Sequence, residues 1–226
     1  MNPTGALVED YRSNPTGLGT SGSVNDACMD DEDGVVVVGD FTSFDGQPAN
    51  RIVRLKADDG SVDTEYLANT GSGADGSIHT IQYNKASGLS VITGNFTQFS
   101  GTPRNGIAVI NKNGILNEAF DPEDFSGGKV NFATILDTEK IVVSGTFTKY
   151  AGVSRPGFLL LDMDGKATQH FNVPGTFSGQ LYQVVETKTT TGSYGLLLLG
   201  SISRFNGSKV SNVVMIEVDF TEKEEE

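Results

Sequence analysis

Gly39-Asp40-Phe41-Thr42-Ser43-Phe44-Asp45-Gly46 occurs in four versions along the chain. The others are Gly94-Asn95-Phe96-Thr97-Gln98-Phe99-Ser100-Gly101, Gly145-Thr146-Phe147-Thr148-Lys149-Tyr150-Ala151-Gly152 and Gly200-Ser201-Ile202-Ser203-Arg204-Phe205-Asn206-Gly207. Their opening glycines stand 55, 51 and 55 residues apart. Six residues beyond each closing glycine comes an apolar residue: Ile52, Ile107, Phe158 and Val213. A fixed period with matched internal offsets marks a repeat architecture, and it takes precedence over any local assignment.

Each copy reads as four strands. The first holds Val24, Ile78, Val130 or Leu181, and the second is a short apolar run such as Val35–Val38 or Leu196–Leu199 that ends in the signature. A continuous apolar run bounded by glycine suits a strand buried on both faces. The third strand covers 51–55, 106–110, 157–161 and 212–216. Asp59-Gly60, Asn113-Gly114 and Asp164-Gly165 follow, dipeptides that favour the positive φ of a two-residue hairpin. The fourth strand then ends in an aromatic, at Tyr66, Phe120 and Phe171. No segment sustains a 3.6-residue apolar period, so no helix is expected.

The last copy stops near Phe220, before its turn and fourth strand. The counterpart lies at the other terminus, where Gly5-Ala6-Leu7-Val8-Glu9-Asp10-Tyr11 has the glycine-to-aromatic offset of Gly114–Phe120. A repeat split between the termini is what a closed ring requires, because the N-terminal strand can remove the last free edge. The expected fold is therefore all-β: a four-bladed β-propeller of four-stranded antiparallel blades, closed by residues 5–11 pairing into the last blade. A strand exchanged between chains would use the same residues. The single domain spans 1–220, with blades at about 23–67, 77–121, 129–172 and 180–220 plus 5–11, followed by an acidic tail at 221–226.

The Gly-x-Phe-Thr-x-Phe-x-Gly signature, followed by a strand, Asp-Gly and an aromatic, resembles the delta-60 repeat family of β-propeller repeats. The resemblance covers nearly the whole chain; the fourth copy departs from it with Ile202 and Ser203. It implies a scaffold or binding role in surface or virion-associated proteins of bacteria and phages, and it brings no catalytic residues.

The composition removes several alternatives. Sixteen Lys+Arg against 29 Asp+Glu give a formal charge of -13, which would repel a nucleic-acid backbone. The single thiol, Cys28, cannot form an internal disulfide. No run of apolar residues is long enough for a membrane helix. The start, Met1-Asn2-Pro3-Thr4-Gly5, lacks the basic and apolar regions of an export signal.

Catalytic motifs are missing as well: there is no Gly-x-Ser-x-Gly, phosphate loop or His-Glu-x-x-His. Cys28, His79 and His170 read as structural residues, and they cannot supply four zinc ligands. No enzyme is expected. The acidic turns are a candidate Ca²⁺ site, built from Asp30, Asp31, Asp33, Asp58 and Asp59, since Ca²⁺ takes six to eight oxygens. A candidate partner-binding patch comes from the cations of the signature loops, Arg104, Lys149, Arg155, Arg204 and Lys209. Phe125, Phe177 and the longer hairpin 187–194 of the fourth copy are candidate contacts. With Met1 as the native start, the expectation is a structural or adhesion module of a phage virion, as a tail or capsid accessory protein. The alternatives are a bacterial cell-surface adhesin, a glycan-binding lectin and, remotely, a glycan-active enzyme. The partners expected are proteins of an assembly, or a surface receptor or glycan.

Overall fold

The computed structural model describes residues 19–169 and 176–220. The closing strand expected at 5–11, His170, Phe171 and the tail 221–226 lie outside the described residues. Among the described residues the fold is all-β apart from one short helix, and the chain divides into two compact units, Met1–Glu118 and Ala119–Glu226.

The first unit contains two three-stranded antiparallel sheets. One is Val24–Met29, Val35–Gly39 and Ile52–Leu55; the other is Ile78–Asn84, Leu89–Gly94 and Ile107–Asn111. The second unit contains Val130–Ile135, Lys140–Gly145 and Phe158–Asp162, then Ser178–Lys188, Tyr194–Phe205 and Val213–Glu217. In each of these four main sheets the second strand of the repeat lies in the middle, flanked by the first and third. The middle strands of the first three copies are buried along nearly their whole length, as their unbroken apolar runs demand.

The expected fourth strand is a remnant. It amounts to one bridged pair in each of the first three copies: Leu55 with Val62, Ile110 with Leu116, and Leu161 with Ala167. Two hydrogen bonds frame the second of these, Asn111 N–H to Ile115 at 2.9 Å and Asn117 N–H to Val109 at 2.8 Å. Beyond the bridge the chain turns polar, as in Asp63-Thr64-Glu65 and Asn117-Glu118, residues that pair poorly in a sheet. In the first copy the chain enters a helix instead, Thr64–Asn69, which corrects the expectation of none. Asp63 caps it by accepting from the Glu65 and Tyr66 amides at 3.1 Å. Fewer than two turns leave no period to detect, yet the Asp cap with Glu65 in the first turn was a readable signal.

The signature itself folds into a two-residue hairpin in every copy: Ser43–Phe44 with Gln47–Pro48, Gln98–Phe99 with Thr102–Pro103, Lys149–Tyr150 with Val153–Ser154, and Arg204–Phe205 with Ser208–Lys209. Both central residues have positive φ each time, for example 47° and 79° at Asp45-Gly46 and 50° and 76° at Ala151-Gly152. This is the type I′ turn that matches strand twist. The Asp-Gly and Asn-Gly pairs expected to make that turn do not: only their glycines are left-handed.

The two glycines of the signature answer to different constraints. A Cβ on the closing glycine, at 46, 101, 152 or 207, would meet nothing within 4 Å, so that position needs glycine for its φ alone. A Cβ on the opening glycine, at 39, 94, 145 or 200, would stand 2.0–2.1 Å from a carbonyl oxygen of the first strand or the residue preceding it. There the constraint is space. The turn residue ahead of the closing glycine is itself strained when it is alanine, since a left-handed L-residue costs roughly 1–2 kcal/mol. Ala151→Asn, a residue that tolerates this region, is expected to raise the melting temperature by about 2–4 °C. An unchanged or lowered melting curve would argue against the turn type.

Within the first unit, Val36, Val38 and Ile52 share a core with Ile78, Ile81, Ile92, Phe96 and Phe99. Within the second, Phe132, Val142 and Leu160 share one with Leu181, Leu196 and Leu198. Phe177 belongs to that core, its ring 5.8 Å from Phe158, and Phe125 packs 4.8 Å from Phe147. Both are packing residues.

Candidate functional site

A polar cluster at the edge of the core belongs to the first copy. Eight residues past the closing glycine, the second and third copies have Val109 and Leu160, whereas the first has Arg54. Its guanidinium donates to Asp30 at 2.5 Å and to Asp63 at 2.7 Å, and reaches Glu32 at 3.4 Å. Lys112 meets Glu32 from the other side at 3.2 Å. Asp30 also accepts the Glu32 and Gly34 amides, both at 2.9 Å. Burial pushes the Asp30 carboxyl up, but Arg54 and these amides outweigh it and hold it below the usual carboxylate range. Asp63 is held low in the same way, against its own burial, by the Tyr66 amide and Arg54.

The carboxylates proposed for calcium lie in separate settings. Asp30 is taken by Arg54, Asp31 accepts from the Tyr83 hydroxyl at 2.8 Å, and Asp59 accepts the Ser61 amide at 2.8 Å. Asp58 accepts the Asp59 amide at 3.0 Å, while Asp33 occupies a left-handed turn position with φ 59°. Among the described residues, no group of three or more His, Cys, Asp or Glu is placed to hold a metal. Burial pushes the Cys28 thiol up to about 12, with Asp26 and Asp30 adding to the effect. Such a thiol is a poor nucleophile at neutral pH. His79 lies 3.2 Å from the Asn95 amide nitrogen.

The cations of the signature loops separate into two kinds. Arg104 is 5% exposed and donates to the Pro103 carbonyl at 2.7 Å, so it offers no open charge to a partner. Arg155 is half-buried and donates to Ser154 at 3.0 Å. Lys149, Arg204 and Lys209 are exposed. Arg204 and Lys209 sit directly opposite one another across the fourth hairpin, and like charges in that position weaken a strand pair.

The second unit also holds a cleft of about 580 Å³, lined by Thr138, Ser193, Tyr194, Glu217, Asp219 and Phe220. The Tyr194 and Phe220 rings stand 5.6 Å apart, and the Tyr194 hydroxyl donates to Glu186. The long hairpin of the fourth copy brings Tyr194 there, a use that its sequence did not announce. No helix among the described residues is long and apolar enough to cross a membrane.

Residues 32–66 and 139–167 match a family described as "Domain of unknown function (DUF5122) beta-propeller". The two stretches begin at equivalent places in the first and third copies, in the turn between first and middle strands. They run through the signature to the remnant fourth strand. The chain thus carries β-propeller repeats. No curated protein matches it.

Proposed function

We propose that this protein is a non-catalytic scaffold, a structural or interaction module that holds short loops for recognition by other proteins. Its four sheets are read as four propeller blades, with residues 5–11 supplying the fourth blade's missing strand. The observation that carries the reading is the fourfold repetition of one rigid type I′ hairpin bearing different tips: Asp45, Ser100, Ala151 and Asn206. Constant backbone with variable side chains is the economy of a binding surface, because the sheets fix the loops while the loops carry the specificity. The opposed Arg204 and Lys209 support it, since a pair that weakens its own hairpin is better accounted for by an acidic partner than by stability.

A photo-reactive amino acid at Ala151 or Asn206, activated in the cells that make the protein, is expected to give one discrete protein adduct. Absence of any adduct from either position, and from Asp45 and Ser100 probed in the same way, would overturn the reading.

The cleft favours a second reading, sugar binding, in which the Tyr194 and Phe220 rings form an apolar platform and Glu217 accepts hydroxyl hydrogen bonds. Perturbation of those two ring signals by added oligosaccharide, with the hairpin tips unaffected, would decide for it.

A further inference from the structure

The repeat allows each turn to be compared with its counterparts, and the fourth copy has aromatics at two places where the others do not. Six residues before the opening glycine, the first three copies have Asp33, Gly88 and Glu139, all left-handed with φ of 58–68°. The fourth has Tyr194, which its longer hairpin draws out of the turn and pairs with Lys188 in the ladder. Thirteen residues past the closing glycine, the second and third copies have Gly114 and Gly165, and the fourth has Phe220.

The backbone sets these two departures side by side, because the Val218 amide donates to the Tyr194 carbonyl at 3.0 Å. Both rings are half-buried against the core of the second unit, and their planes are inclined by 54°. The cleft beside them is built wholly within that unit, from residues between 138 and 220. Its volume of about 580 Å³ falls within the roughly 300–1,000 Å³ usual for small-molecule sites.

The charge of the lining narrows the ligand. Glu217 and Asp219 stand exposed at the cleft, and no Lys or Arg is among the residues that line it. Lys188, opposite Tyr194 across the ladder, is exposed and does not line it. The Tyr194 hydroxyl donates to the Glu186 carboxylate, which pushes electron density into the ring and strengthens the pull of its face on a cation. Burial and Glu186 together push the Tyr194 hydroxyl's pKa up, so the phenol keeps its proton.

We propose that the cleft takes a sugar bearing a protonated amine, an oligosaccharide of the glucosamine class. The Tyr194 and Phe220 rings receive the apolar face of a pyranose, Glu217 and Asp219 attract its ammonium, and Thr138 and Ser193 offer hydroxyls to its remaining groups. An acidic glycan would be repelled by the same carboxylates and by the chain's charge of -13. A neutral sugar would gain the stacking but none of the attraction between charges. The proposal rests on the sugar reading of this cleft and adds the charge of its ligand.

The test titrates the whole chain with two β-1,4 trimers, one of glucosamine and one of glucose, which has a hydroxyl in place of each ammonium. The Tyr194 and Phe220 ring signals in NMR spectra report binding. Both trimers should move them, and the glucosamine trimer should bind about 10-fold more tightly or better, an advantage that shrinks as salt is added. Glu217→Gln with Asp219→Asn should abolish that advantage and leave the affinity for the glucose trimer unchanged. Both sites are exposed and both replacements keep the side chain's size, so circular dichroism should not change. Tyr194→Leu should weaken both trimers.

Equal affinity of the wild type for the two trimers, or an advantage that survives the double substitution, would overturn the proposal and leave the sugar reading standing. Binding of n-butylammonium as tight as that of the glucosamine trimer would show that the amine alone suffices, and both would fall. Silence of the two rings toward all three probes would have the same result. Equal movement of the signals from Asp30–Asp33 would mean diffuse attraction to acidic surface and would overturn the site.

Discussion

Gly94→Ala should cost the protein about 3 kcal/mol or more. Its new methyl would lie 2.0 Å from the Ser77 carbonyl oxygen and 2.9 Å from the Ile78 Cα. Overpacking costs typically about 1–3 kcal/mol when side chains can yield, but both of these neighbours are backbone. Gly94 has no freedom of its own, because its amide is bonded to the Gly106 carbonyl at 3.0 Å. Against a total stability of roughly 5–15 kcal/mol, such a loss brings the chain close to unfolding. Gly101→Ala is the control: its Cβ meets nothing, its φ is 78°, and it should lose only about 1–2 kcal/mol. Urea midpoints of the two variants measure the difference. Equal losses would refute the division of the signature into one glycine needed for space and one needed for conformation.

Arg54→Met should be destabilising by about 3–5 kcal/mol, because it leaves the Asp30 carboxylate buried without its counter-charge. The repeat supplies its own rescue. In the third copy the positions of Asp30 and Arg54 are held by Leu136 and Leu160, both buried. The double substitution Asp30→Leu with Arg54→Leu should therefore recover most of the loss. The acid limb of stability gives an independent check. Asp30 and Asp63 are held below their unfolded values, so their contribution is complete above an unfolded pKa of about 3.9 and disappears as pH falls through the lower folded values. Urea midpoints of the wild type should thus fall more steeply in acid than those of the double variant. Parallel acid limbs would show that the network contributes nothing through its charges.

The strands were legible because each is written four times. Offsets that repeat from Gly39 to Gly200 located the first three strands of every copy, and apolar runs such as Val35–Val38 announced their burial. The turns were legible only in kind. Asp-Gly and Asn-Gly are the commoner marks of a type I′ hairpin, yet Asp59-Gly60, Asn113-Gly114 and Asp164-Gly165 do not form it, while Ser100-Gly101 and Ala151-Gly152 do so beside Asp45-Gly46 and Asn206-Gly207. Burial of individual charges was not readable at all. Arg104 and Lys149 both follow from the signature at fixed offsets, and only the packing around them makes one interior and the other exposed. The Arg54 network was missed for a related reason: Asp30, Arg54 and Asp63 are far apart in sequence, and an arginine within an apolar strand was the sole hint.

The open closing glycines have a practical consequence. A tip whose Cβ would touch nothing is a place where chain can be inserted without disturbing the sheets beneath. Four such tips, at Gly46, Gly101, Gly152 and Gly207, share one backbone geometry. They offer a natural display frame on which foreign peptides can be presented singly or in sets, each in the same constrained hairpin.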